Sequence, residues 1–336
     1  MAVPRRSTAR FPALDPAAGH YESFYLKANH PSQPMALWIR YTVHKRPGEG
    51  PMGSLWCTLF DRSNGLPRAV KQTTADLGAR EDEYVHVGDS VFGLGSVHGQ
   101  AEGGGRSASW DLSFDAGEQA LHHLPRPWMY RAPIPRTKLL SPHPAVRFTG
   151  RAEVEGNSVQ LDGWQGMIGH NWGAQHAERW IWMHAAGFAE DGGGGPGDAW
   201  LDAAFGRIRL GPYTTPWIAN GVLSLGGERL RLGGLGRARR TDVSESPTSC
   251  EFALPGAGMT VQGKVEADRD DFVGWVYADP DGSEHHTVNC SVCDMRLSVA
   301  RPGSPPVQLV LTGGAAYELG MRETDHGMAI QPFPDG

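Results

Sequence analysis

Cysteine is scarce: Cys57, Cys250, Cys290 and Cys293 are the four in a chain of 336 residues. So few in such a length make no disulfide framework. Cys290 and Cys293 have CxxC spacing, with His285 and His286 just upstream, but a zinc site needs a second ligand pair and none is evident. The segment reads better as a strand, and neither a metal nor another cofactor is expected. Long apolar runs are missing too. Nothing approaches the roughly 18 residues that a membrane-crossing helix requires. No apolar run follows Arg5, Arg6 and Arg10, so no secretory signal is read and a cytoplasmic protein is expected. Peripheral contact with a membrane stays open. The net charge of −6 and the scattered basic residues leave no footprint for nucleic acid.

Familiar catalytic motifs are also absent. There is no Gly-x-Ser-x-Gly elbow, which argues against an α/β-hydrolase triad. Gly93-Leu94-Gly95 and Gly233-Gly234-Leu235-Gly236 lack the following helix that a dinucleotide fingerprint needs. Long helical periodicity is hard to find. What the chain has instead is 45 glycines, 25 prolines and many short alternating or apolar runs between turn residues. That is the pattern of an all-β protein. Each half carries about six to nine candidate strands with no helical crossover, which suggests two antiparallel sandwiches or barrels. The expected organisation is an irregular segment 1–19, a first β domain 20–172 and a second β domain 173–330.

The richest stretch is residues 163–182, GWQGMIGHNWGAQHAERWIW, which holds four of the eleven tryptophans. Glycines flank His170, Asn171 and Trp172, allowing a sharp turn or a close backbone approach. If Arg179 to His184 is a strand, Trp180, Trp182 and His184 share one face, and Ile181 and Met183 the other. Such a strand serves an aromatic core or an apolar ligand pocket equally well. The stretch lies near the expected domain junction, where pockets concentrate.

A functional site would need a titratable partner for His170. Asp202 is the best candidate, because Trp200 and Asp202 share a face of an apolar strand. If that face points inward, Asp202 is a neutral acid suited to donate a proton; if it points outward, Asp202 is a solvated strand-end residue. Tryptophan faces stabilise cations, so an acid beside an aromatic wall suits protonation of an alkene. The residues expected to react are Asp202, His170 and Trp172. Trp180, Trp182, Trp200, Asn171, His184 and Trp217 are expected to hold the substrate. Roles for His176, His285 and His286 stay open, as does the oligomeric state.

At Gly169-His170-Asn171-Trp172-Gly173 the chain resembles the carotenoid 1,2-hydratase (hydroxyneurosporene synthase) family and its lipocalin-like relatives, the tocopherol cyclase-like and AttH-like proteins. The WIW strand, the WLD strand and Asn289-Cys290-Ser291 fit the same pattern, over residues 20–328. Gly169 stands where the family often has Asp. The resemblance implies two lipocalin-like domains around a pocket for an isoprenoid, polyene or polycyclic substrate. The family's His-x-Trp pair matches His170 and Trp172. Its Tyr-x-Asp pair falls on Trp200 and Asp202, with Trp replacing Tyr. The expected activity is acid-initiated alkene protonation followed by hydration or cyclisation. A pericyclic cyclase and a non-catalytic carrier for an apolar ligand are the alternatives, since reaction type does not follow from fold.

Overall fold

The computed structural model describes residues 8–115, 117–190 and 197–333. Residues 1–7 of the N-terminal segment lie outside this range. Among the described residues the chain is all-β, with helical structure limited to four short 3₁₀ turns: Phe11–Ala13, Pro127–Tyr130, Leu235–Arg240 and Arg269–Asp271. Two large sheets, of twelve and eleven strands, divide the chain in sequence order, and every named strand pairing is antiparallel. The first sheet is centred on His20–Asn29, which pairs Met35–Lys45 on one side and Asn157–Gly173 on the other. The second is centred on Val307–Met321, flanked by Arg179–Ala186 and Glu284–Ala300.

Local patterns explain which strands are which. Arg106–Phe114 alternates, with Ala108, Trp110 and Leu112 inward and Ser109, Asp111 and Ser113 outward, as a strand with one wet face should. By contrast, all ten residues of His20–Asn29 are buried. Phe24, Leu26 and Ala28 enter the core of the first sheet. Tyr25 and Lys27 point the other way, toward the second sheet, where Tyr25 packs with Trp182 and Lys27 reaches His184. Met35–Lys45 is split in the same way. Leu37, Ile39, Tyr41 and Val43 join the first core, and Ala36 and Trp38 join the second. The two sheets therefore pack on one another through these strands.

The glycine-flanked motif is not a turn. It is the last part of the 17-residue strand Asn157–Gly173. Its glycines serve close approach: a Cβ on Gly169 would lie 2.1 Å from the Tyr25 ring, and one on Gly173 would lie 2.0 Å from the Arg136 carbonyl oxygen. The CxxC segment is a strand, within Glu284–Ala300, and all four cysteines are free and buried.

Candidate functional site

Between the two sheets lies a cavity of about 690 Å³, lined mainly by apolar groups. Strand phase builds its wall. Ile181 and Met183 go into the core of the second sheet, which leaves Trp180 and Trp182 facing the cavity. Glycines seat the rings. Trp180 pairs with Gly320 across the sheet, and a Cβ there would fall 2.1 Å from the indole. Trp182 meets Tyr25 edge-on at 5.4 Å, and Tyr25 in turn lies over Gly169.

Among the described residues, one carboxylate lies on this wall. Glu318 Oε1 accepts from Trp180 Nε1–H at 2.9 Å. Its Oε2 accepts from Asn289 Nδ2 at 3.1 Å and from the Tyr277 hydroxyl at 3.3 Å. These donors are all neutral. Arg40 also lines the cavity, with its Nε donating to Ser23 Oγ and its guanidinium 4.1 Å from the Tyr277 ring centre. Burial raises the Tyr25 hydroxyl pKa well above the ordinary range, with Asp202 and Glu318 adding to the effect, so Tyr25 stays protonated.

Two histidines backed by aspartates reach the same wall. His176 stacks on Tyr21 at 3.9 Å and on Trp180 at 5.1 Å. Its Nδ1–H donates to Asp279 Oδ1 at 2.7 Å, and the same oxygen accepts its backbone N–H. Burial alone would raise the Asp279 carboxyl, but these bonds and the nearby His285 hold it below the usual range. Buried His285, pulled down to about 3 chiefly by desolvation, lies 3.8 Å from Asp279 Oδ2. His176, Asp279 and His285 present potential metal-ligand atoms within 4.8 Å of one another. The Asp279 oxygens, however, already accept from His176 and from Ser283 Oγ. The other histidine on the wall is His123. Its Nε2 lies 3.1 Å from Ser141 Oγ and 3.4 Å from Asp202 Oδ2.

The residues expected from sequence divide between this wall and other places. Trp180, Trp182 and Asn171 line the cavity. His170 and Trp172, one position either side of Asn171, face the opposite way, as period two requires. His170 is fully buried, stacked between Phe24 at 4.0 Å and Trp172 at 4.4 Å. Its Nε2–H donates to Glu22 Oε1 at 2.7 Å. Glu22 also accepts from the Arg10 and Phe11 backbone N–H groups, and the Arg10 guanidinium covers the Trp172 ring at 4.9 Å. This cluster ties the N-terminal segment to the first sheet.

Trp200 and Asp202 do share a face, but that face is covered. Trp200 packs with Leu121 and Val222. Asp202 is completely buried and accepts from Ser141 Oγ at 2.5 Å. Burial pushes its carboxyl up, yet His123, His184 and Ser141 together outweigh that and leave it below the ordinary range. Asp202 is therefore an ionised, buried group whose link to the cavity runs through His123, not a neutral acid on the wall. His184 donates from Nε2–H to the Pro144 carbonyl, and desolvation brings it down to about 3. Trp217 packs in the second core under Arg207. His286 meets His326. Glu318, His123 and the His176–Asp279 pair were missed by sequence reasoning. Glu318 carried the signal that singled out Asp202, an acid inside an apolar strand (Ala-Ala-Tyr-Glu-Leu-Gly).

No family model matches the chain. Proteins of Mycobacterium tuberculosis strains CDC 1551 / Oshkosh and ATCC 25618 / H37Rv, described only as uncharacterized, are 26% identical over 181 residues. That match covers 53% of this chain and 53% of each relative, so it spans about half the length of the curated relatives. Among solved structures, a protein assigned as AttH from Nitrosomonas europaea matches with a TM-score of 0.52 at 11% identity, over 96% of this chain and 97% of that one. Kievitone hydratase from Nectria haematococca matches with 0.52 at 11% identity, over 95% and 92%. CghA with Sch210972 matches with 0.50 at 12% identity, over 90% and 89%. At this level of identity the likeness carries the fold: two lipocalin-like antiparallel β units.

Proposed function

We propose that the chain is an enzyme that binds an apolar isoprenoid-type or polycyclic molecule between its sheets and adds a proton to one of its double bonds, with hydration or ring closure following. The observation that carries this reading is Glu318, a carboxyl on the wall of an aromatic cavity whose hydrogen-bond partners are all neutral. A carboxyl on a cavity wall is placed to pass a proton to a bound double bond. Trp180 and Trp182 line the same cavity, and aromatic rings stabilise cations that form beside them. The cavity volume suits a ligand of drug size. The likeness in fold to a protein named kievitone hydratase supports a hydration reading. In this proposal the proton-transfer role expected of Asp202 moves to Glu318. His170 and Trp172 hold the wall in place from behind, and Asp202 orients His123.

The test is turnover of a panel of prenylated and polyene compounds in deuterated water. A proton-initiated reaction places deuterium on product carbon, and Glu318→Gln should lower the rate by about 10²–10⁴-fold. Tryptophan quenching by the same compounds should be retained in the variant. Product free of carbon-bound deuterium, or a Glu318→Gln variant at full rate, would overturn the reading. One observation favours a carrier instead: both Glu318 oxygens are already hydrogen-bonded. Tight binding across the panel with no conversion of any member would establish the carrier.

A further inference from the structure

Six large hydrophobic side chains are notably exposed among the described residues, and all but Leu66 come from two loops and one 3₁₀ turn around the cavity mouth. Trp128 and Ile134, in residues 124–137, are 62% and 59% exposed. Leu210 and Tyr213 pair with each other in the small hairpin Arg209–Leu210 / Tyr213–Thr214, and Leu235 opens the 3₁₀ turn Leu235–Arg240. Trp128, Ile134, Leu210 and Leu235 also line the cavity itself, so the apolar rim is continuous with the apolar interior.

The same segments are one-sided in charge. Residues 124–137, 207–217 and 234–241 contain eight arginines and no aspartate or glutamate, in a chain whose net charge is −6. Arg126, Arg131, Arg136, Arg209, Arg239 and Arg240 are exposed. Among the described residues, only Arg209 of these has an acidic partner, Glu178 at 3.6 Å. An apolar rim with a tryptophan and a tyrosine, set among arginines, matches the interfacial layer of an anionic bilayer, where aromatic rings sit at headgroup level. Basic groups near it are drawn to the negative surface.

We propose that this rim docks the cavity mouth onto an anionic lipid surface, so that an apolar ligand passes between the bilayer and the cavity without crossing water. No helix of the described residues is long and apolar enough to cross a membrane. The purpose assigned to the docking rests on the cavity's proposed role, but the docking itself does not.

The experiment is sedimentation of the full chain with phosphatidylcholine vesicles, with and without phosphatidylglycerol, in the absence of any substrate. Binding is expected only to the anionic vesicles, with a blue shift of tryptophan emission from Trp128, and it should weaken as salt rises. The double variant Arg239→Glu/Arg240→Glu should bind at least about tenfold more weakly. Leu235→Glu should lose the blue shift, with circular dichroism unchanged in both variants. Equal binding to neutral vesicles, undiminished binding by the charge-reversed variant, or binding of DNA or an acidic protein without vesicle binding would overturn the proposal. Because no substrate is present, failure here leaves the cavity chemistry standing, and failure of turnover leaves the vesicle result standing.

Discussion

Glu22→Gln should be among the most costly single changes of charge in the protein. The carboxylate is 1% exposed. It accepts from His170 Nε2–H and from the Arg10 and Phe11 backbone N–H groups, and His20 lies 3.5 Å away. Burial raises its pKa, but the bonds from His170 and His20 outweigh that and bring it from 4.5 to about 2. At about 1.4 kcal/mol per pH unit, the ionised group contributes about 3 kcal/mol. A carboxyl depressed in the folded state stabilises above its unfolded pKa, and the contribution fades as pH falls through the folded value. Urea unfolding of wild type and variant, followed by tryptophan fluorescence, should therefore show a gap of about 3 kcal/mol at pH 7. The gap should narrow below pH 4.5 and close near pH 2. A variant within about 0.5 kcal/mol of wild type at pH 7, or a gap independent of pH, would refute the assignment of His170 and Glu22 as a structural pair.

The remaining predictions are more compact. Burial brings Lys27 down to about 7, so between that pH and its unfolded value of 10.5 the unfolded chain binds more protons and stability rises with pH. The rise should be seen up to about pH 8.5, where cysteine begins to titrate, and it should be missing in Lys27→Met; matching slopes would refute it. Gly320→Ala places a Cβ 2.1 Å from the Trp180 ring and should swing the indole off Glu318, with a changed near-ultraviolet dichroism and weaker binding of apolar ligands. An unchanged spectrum would show that the glycine does not seat the ring.

The all-β class was legible because turn residues and short alternating runs are local signals, and Arg106–Phe114 carries its burial pattern in its own letters. The facing of Trp180 and Trp182 was legible for the same reason: Ile181 and Met183 between them had to choose the other side. The role of the glycines around His170 was harder to read, since a glycine that bends a chain and one that admits a ring look alike in sequence. Gly169 is explained by Tyr25, 144 positions earlier in the chain (169 − 25) and opposite it in register. The partner of His170 lies equally far off, 148 residues away at Glu22. Glu318 and Asp202 posed the same problem in another form. Each is an acid in an apolar strand, and local pattern cannot say which of the two inward faces is covered by Ser141 and His123 and which opens to the cavity.

That last ambiguity can be settled by comparing Asp202→Asn with Glu318→Gln. Asp202 is ionised and fully buried, with Ser141 and His123 oriented on it. Replacing it with a neutral amide removes the charge that Ser141 Oγ–H donates to, and losing a hydrogen bond to a buried charged group costs about 1.5–3 kcal/mol. Asp202→Asn should therefore lower the melting temperature sharply, and its loss of rate should follow the misplacement of His123. Glu318 stands on the cavity wall and is held by neutral donors, so Glu318→Gln should keep most of the melting temperature while losing about 10²–10⁴-fold in rate. Thermal melts and single-turnover rates on both variants separate the roles. If Asp202→Asn lost the rate at an unchanged melting temperature while Glu318→Gln kept it, the proton would come from the buried aspartate by way of His123, and Glu318 would be only a ligand-positioning group.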